Sequence, residues 1–399
     1  MSSPDRAGAF SPELRASIFH STVFGSTGVA SAYFAIWLSD KGITPDQIGI
    51  INAVPVLVLL FASMLIGRLA DRASDWRVMI IWLSIIAGAG SLGFLFVSEF
   101  WGALLVFTLC YTPAGALVPV LDAATLRMTE RRGSDFGFVR AWGTVGYTIT
   151  AALTGALIGW FGAVVFVPLF IVLSLLRTGL AFQLPRFRAP EHTAAPARAA
   201  NGPTLMSLMR PWFILPCVAF ALIQSTHFFL GAMGALVWKV DGIAEGWFGP
   251  LIAISAAGEA VTMFFWRRIG ARMSARTMLI IAGLVGVLRW FAMALSPALP
   301  VLFLLQALHA ITLPFAYFGI MHFIANWADE DIAAEAQSFS SMLTQGFAVV
   351  TLVLFGWLVG LIGGDAYFVA AGMTLVAALL AWWSVLLRPS HDRSEYRPA

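Results

Sequence analysis

The chain has 399 residues, of which 59% are hydrophobic and only 11% charged; its formal net charge is +3 and its mean hydropathy +0.85. That leaves too little charge to clothe a water-facing surface, which excludes a soluble globular fold. Apolar runs such as 78–97 and 370–387 are unbroken, where a membrane barrel would alternate in polarity over ~10 residues, so the expected spans are helices.

In chain order, hydropathy predicts twelve spans near 15–38, 48–69, 77–97, 101–126, 138–160, 162–183, 212–238, 247–266, 277–297, 300–324, 337–361 and 366–387. The N-terminus lacks both a Lys/Arg-rich region and a small-residue cleavage site, so the first span is expected to be retained. Arginines gather on one side of this plan, among them Arg68, Arg72, Arg77, Arg127, Arg131, Arg132, Arg140, Arg186, Arg210 and Arg276, while the opposite loops hold Lys41 and Lys239. The positive-inside bias then predicts an inner-membrane, multi-pass protein with both termini cytoplasmic. Cys110 and Cys217 fall inside apolar runs and read as packing residues. Residues 185–210 are rich in Ala, Pro and polar residues and read as a linker between six-helix bundles at 1–184 and 211–399. Two such bundles rocking about a central cavity are the plan of a secondary transporter.

After the second span the chain reads Gly67-Arg68-Leu69-Ala70-Asp71-Arg72, which resembles the GxxxD(R/K) signature of the major facilitator superfamily. The resemblance implies a conformational latch of Gly67, Asp71 and Arg72, in which glycine allows close helix approach and the acid pairs with an arginine or a helix end. The rest of the motif is degraded to Ser74-Asp75-Trp76-Arg77, and an ordinary positive-inside loop is the plain alternative. Longer segments, Gly42-Ile43-Thr44-Pro45-Asp46-Gln47-Ile48-Gly49, Asp135 to Thr144, Gly286 to Trp290 and Gln306 to His309, are similar to the phenylpropionate permease family, relatives of lactose permease. That resemblance covers essentially the full chain and implies the major facilitator fold, an all-α membrane protein of twelve helices in two bundles.

Ionisable side chains near the bilayer centre are costly and need a partner or a watery cavity. At ~1.5 Å per residue from the extracytoplasmic helix ends, Glu259 lies ~20 Å deep, Arg289 ~12 Å and His309 ~14 Å, so the three can share a layer. Lactose permease likewise carries Glu, Arg and His on spans eight, nine and ten, and the resemblance implies proton coupling by Glu259, Arg289 and His309. An inert buried ion pair is the alternative. Where lactose permease has its proton-carrying glutamate this chain has Thr312, so Glu259 is the expected substitute: burial disfavours its charge and Arg289 favours it. In the first half, Asp122, Arg140 and Tyr147 are similar to the sugar-site trio of lactose permease, and with His309 they are the expected substrate-binding set. Arg140 offers a fork for a carboxylate or hydroxyl pair, and Tyr147 an aromatic face. His20 and His227 read as satisfied packing histidines, with substrate contact the alternative; Asn52, Gln224, Gln306 and Gln345 read equally as cavity lining or interhelical hydrogen bonding.

The leading expectation is therefore proton-coupled symport of a small organic solute such as an aromatic monocarboxylate, by alternating access. A sugar or nucleoside symporter, or an exporter, remains the alternative. No nucleotide-binding loop is present, and neither a nucleophile, an acid pair nor a metal cluster converges as an enzyme would require. The reading is thus of a non-enzyme without metal or cofactor. Its partners are a small-molecule substrate, a proton and the lipid bilayer, with no nucleic acid, and the protein is read as a monomer.

Overall fold

A computed structural model describes residues 10–187, 205–265, 273–328 and 330–387. Among these, the regular elements are all helical: α1 Pro12–Asp40, α2 Pro45–Arg72, α3 Trp76–Ser91, α4 Phe100–Arg132, α5 Phe136–Phe161 and α6 Phe166–Ala181, then α7 Pro211–Val240, α8 Phe248–Phe264, α9 Ala275–Ala294, α10 Leu299–Ala307, α11 His309–Trp327, α12 Glu330–Ile362 and α13 Ala366–Leu386. The protein is an all-helical membrane protein; among the described residues ten stretches are long and apolar enough to cross a bilayer, the last of them, Glu335–Leu386, running through both α12 and α13.

The connections are short because the sequence caps the helices closely. Ser11, Asp75, Asp135 and Ser274 accept from the first-turn amides of α1, α3, α5 and α9, and Gly133 closes α4 at φ 66°. Several helices outrun their apolar spans: α4 continues to Arg132 and α12 starts at Glu330. Hydropathy marks the hydrocarbon-facing part only, and an α-helix continues past it until a cap stops it. The tenth span differs in kind, since it breaks at Leu308 into α10 and α11.

Prolines inside helices leave a carbonyl without its usual amide donor, and two of these carbonyls are repaired from a neighbouring helix. Pro314 cannot donate to Ala310, whose carbonyl oxygen instead accepts from Thr262 Oγ1 of α8 at 2.8 Å. Pro216 cannot donate to Trp212, and Ser384 Oγ of α13 supplies that bond at 2.6 Å. Ser384 in turn accepts from the buried Arg276 Nε at 2.9 Å.

The contacts divide the chain into two units, Met1–Lys41 with Val54–Ala194 and Gly42–Ala53 with Ala195–Ala399. In the first, α1 lies against α5 and α3 against α4 and α6. The backbones of α1 and α5 come close because Gly28 and Gly146 face each other's helices: a Cβ on Gly28 would lie 2.6 Å from the Tyr147 carbonyl oxygen, and one on Gly146 would fall on that of Ser21. In the second, α7 packs on α12 and α13, and α9 on α13 and α11. The start of α2 groups with this second unit, where a Cβ on Gly49 would lie 2.5 Å from the Leu352 carbonyl oxygen of α12. A boundary read from the linker alone does not anticipate that.

Candidate functional site

In the first unit the Gly133 turn folds α5 back along α4, which sets their facing sides together. Asp122 lies ~15 Å up α4 from its last residue and Arg140 ~6 Å into α5, and the length of the arginine covers the difference. Arg140 Nε stands 3.2 Å from Asp122 Oδ1, and its guanidinium lies 4.1 Å from the centre of the Phe24 ring. A guanidinium stacks its flat face on an aromatic ring in this way. The two side chains are 30% and 33% exposed. From α1, the fully buried His20 places Nδ1 3.9 Å from the same Asp122 oxygen and Nε2 3.3 Å from Thr125 Oγ1. Tyr147 lies two turns further along α5, its hydroxyl 3.0 Å from Ser31 Oγ. Asp122 and Arg140 thus meet directly, and His20 and Phe24 complete the group.

In the second unit α8 presents Ser255, Glu259 and Thr262 at helical spacing on the face that meets the break between α10 and α11. Ser255 Oγ is 2.8 Å from Gln306 Oε1, Thr262 holds the Ala310 carbonyl, and between them Glu259 Oε2 stands 3.5 Å from His309 Nε2. Arg289 of α9 is fully buried behind this layer. Its Nη2 donates to Gln306 Oε1 at 2.8 Å and its Nη1 to Thr312 Oγ1 at 3.2 Å, while Nη1 also lies 3.4 Å from His309 Nδ1 and from His227 Nε2. The guanidinium carbon sits 4.5 Å from the centre of the Trp290 ring.

The donors fix the histidine tautomers. Arginine can only donate, so His309 Nδ1 facing it is the unprotonated nitrogen, and Nε2–H points at Glu259. His227 Nδ1 lies 2.9 Å from the Ile223 carbonyl oxygen and must donate there; its Nε2 then accepts from the Thr312 hydroxyl at 2.9 Å. The chain Arg289 to Thr312 to His227 to Ile223 is a one-way series of donors. Arg289 therefore holds His309 in the tautomer that offers its proton to the carboxylate.

Glu259, Arg289 and His309 come together as one layer. Thr312, marked in the sequence only as standing in place of a glutamate, and the buried His20 and His227 all make direct polar contacts with these groups. The signal was present in the spacing, since Gln306, His309 and Thr312 recur at intervals of three and share one side of a helix. Gly67, Asp71 and Arg72 fall on the last turns of α2, but their side chains lie outside the described residues, as does 188–204 of the expected linker. Among the described residues no group of three His, Cys, Asp or Glu is placed to hold a metal.

Residues 14–370 match the family model described as "MFS_1 like family". A probable 3-phenylpropionic acid transporter of Escherichia coli (strain K12) is 28% identical over 90% of this chain and 94% of its own length. A maltose permease of Geobacillus stearothermophilus is 22% identical over 87% of this chain and 86% of its own. Among solved structures, that of the nucleoside transporter NupG superposes with a TM-score of 0.76, covering 94% of this chain and 99% of the other at 17% identity, a likeness of fold.

Proposed function

The chain belongs to the MFS_1 like family of membrane transporters, and on that premise we propose that it is a proton-coupled symporter of a small aromatic monocarboxylate, working by alternating access. In this reading it has twelve spans in two bundles, 1–184 and 211–399, joined by a cytoplasmic linker at 185–210 in the inner membrane. The observation that carries the substrate class is the contrast between two arginines. Arg289 is buried and committed to Gln306 and Thr312, whereas Arg140 is 30% exposed, lies over Phe24 and has one carboxylate beside its Nε. A part-exposed guanidinium beside aromatic surface suits an arylalkyl carboxylate. The name of the 28%-identical relative, a probable 3-phenylpropionic acid transporter, supports the same class.

Asp122, Arg140, Tyr147 and His309 are assigned to the substrate, and Glu259, Arg289 and His309 to the proton. Glu259 takes a proton when its cavity opens to the more acidic side, and His309, held by Arg289, keeps its Nε2–H aimed at that carboxylate. Gly67, Asp71 and Arg72 serve as the latch. The second reading is a sugar symporter, favoured by the Asp122–Arg140 pair, which offers an acceptor beside donors as vicinal hydroxyls require, and by the maltose permease relative.

Binding of 3-phenylpropionate and of maltose to Arg140→Lys, Arg140→Gln and Asp122→Asn separates the two. A charge-assisted carboxylate contact is worth about 1.5–3 kcal/mol, so with an acid substrate Arg140→Gln should weaken binding about 10- to 150-fold. Arg140→Lys should retain part of the affinity, and Asp122→Asn should be the mildest change. For a neutral sugar all three should fail alike. Unchanged 3-phenylpropionate binding in Arg140→Gln removes Arg140 from the substrate site.

A further inference from the structure

One contact in the first unit lacks the partner that burial demands. His20 Nδ1 is buried without a hydrogen-bond partner, and it faces the buried Asp122 Oδ1 3.9 Å away. A buried ring nitrogen with no partner is costly, and a small side-chain rotation would join it to the carboxylate through one proton. In the tautomer in which the Thr125 hydroxyl donates to His20 Nε2, the neutral ring carries its hydrogen on Nδ1, toward the carboxylate; in the other, Nδ1 and the carboxylate face each other bare and an added proton joins them. The same Asp122 oxygen is also the one beside Arg140.

We propose that His20 and Asp122 form a proton-binding pair in the first unit, separate from Glu259 and His309, which takes up one proton as a carboxylate substrate takes Arg140. The inference rests on the carboxylate reading above. An incoming carboxylate and Asp122 both need the Arg140 guanidinium, and two anions sharing it repel one another. A proton on the pair, whether held by Asp122 or by His20, cancels one negative charge and frees the guanidinium for the substrate. The groups facing Asp122 are His20 from α1 and Arg140 from α5. Of the other charges on the helices around it, Arg177 of α6 is buried and donates to Ser26 Oγ of α1 at 3.4 Å, Arg127 pairs with Glu130 on α4, and the rest are engaged at helix ends: Glu13 with Arg132, Arg15 with the Gln183 carbonyl and Arg77 with that of Phe182. Nothing is consumed in the exchange; one proton and one anion enter together and leave together.

The test is the pH dependence of 3-phenylpropionate affinity, measured by calorimetry on the full chain in detergent above about pH 6.5, where a carboxylic acid is ionised. One proton taken up on binding makes Kd rise about tenfold per pH unit above the group's own range. Glu259→Gln should keep that tenfold slope, and Glu259→Gln with Asp122→Asn should be flat. His20→Gln in the Glu259→Gln background should move the pH at which the slope sets in. A flat profile in Glu259→Gln alone overturns the pair and leaves coupling at Glu259 standing. Should the double variant not fold, Asp122→Asn alone carries the comparison: its slope should lie one tenfold step below that of the unsubstituted chain, and an equal slope overturns the proposal. Failure of the unsubstituted chain to bind 3-phenylpropionate at any pH overturns the carboxylate reading itself, and this inference with it.

Discussion

Thr312 stands where a carboxylate would make the layer around Arg289 charge-balanced, and its hydroxyl does something different. It accepts from Arg289 at 3.2 Å and donates to His227 at 2.9 Å, so one small group satisfies two buried neighbours. Thr312→Val should leave both underused, which costs about 1–3 kcal/mol for a stranded buried group, and lower the melting temperature in detergent. Thr312→Ser should restore it; equal loss in both variants would show that the methyl packing, not the relay, matters. Glu259 is the complementary case. Glu259→Gln removes the carboxylate opposite His309, so accumulation of solute up a gradient in proteoliposomes should fall to what a single proton taken at Asp122 sustains, while downhill exchange continues. Undiminished accumulation would take the coupling role from Glu259. The ionisable residues of this layer were legible because charge in an apolar helix is rare and its depth can be counted along the helix. The roles of Thr312 and His227 were not, because hydroxyls and lone histidines gain meaning from the helix opposite, and that pairing is a property of the fold.

Helices were readable in the sequence where composition changes abruptly and misjudged where it changes gradually. The capping residues Ser11, Asp75, Asp135 and Ser274 mark true starts, while the apolar windows stop short of the ends of α4 and α12. The break at Leu308 gave no hydropathy signal, although Pro314 lies one turn and a half beyond it. Its repair can be tested. Thr262→Val should leave the Ala310 carbonyl with neither amide nor hydroxyl donor in an apolar setting, at a cost of about 1–3 kcal/mol. Pro314→Ala supplies the missing amide, so Thr262→Val with Pro314→Ala should melt higher than Thr262→Val alone. A double variant no more stable than the single one would mean that the Thr262 contact does not compensate for the proline. The close pass of α1 and α5 makes a second test of the same kind. Gly146→Ala should destabilise by about 1–3 kcal/mol through overpacking, whereas Gly231→Ala, with nothing within 4 Å of its Cβ position, should not.

At the scale of the whole chain, each unit holds an arginine, a histidine and a carboxylate drawn from different helices: Arg140, His20 and Asp122 in one, Arg289, His309 and Glu259 in the other. Their exposures differ in a way that suits different tasks. Arg140 is part-exposed and available, whereas Arg289 is sealed and serves to orient its neighbours. Which side of the membrane each set opens to is an expectation that the distribution of arginine supplies. Lys41 and Lys239 close the C-terminal ends of the first helix of each half, Lys41 over the Trp37 ring at 5.0 Å and Lys239 paired with Glu245 at 2.8 Å. Arg127, Arg131 and Arg132 crowd the far end of α4. Short loops follow the positive-inside bias closely, so the arginine-rich ends should face the cytoplasm. A membrane-impermeant maleimide offers the check, and the native Cys110 and Cys217 are buried and should stay silent. In intact cells Lys41→Cys and Lys239→Cys should label at once, and Arg127→Cys only after permeabilisation. Labelling of Arg127→Cys from outside, with Lys41→Cys protected, would invert the topology and with it the side from which Glu259 draws its proton.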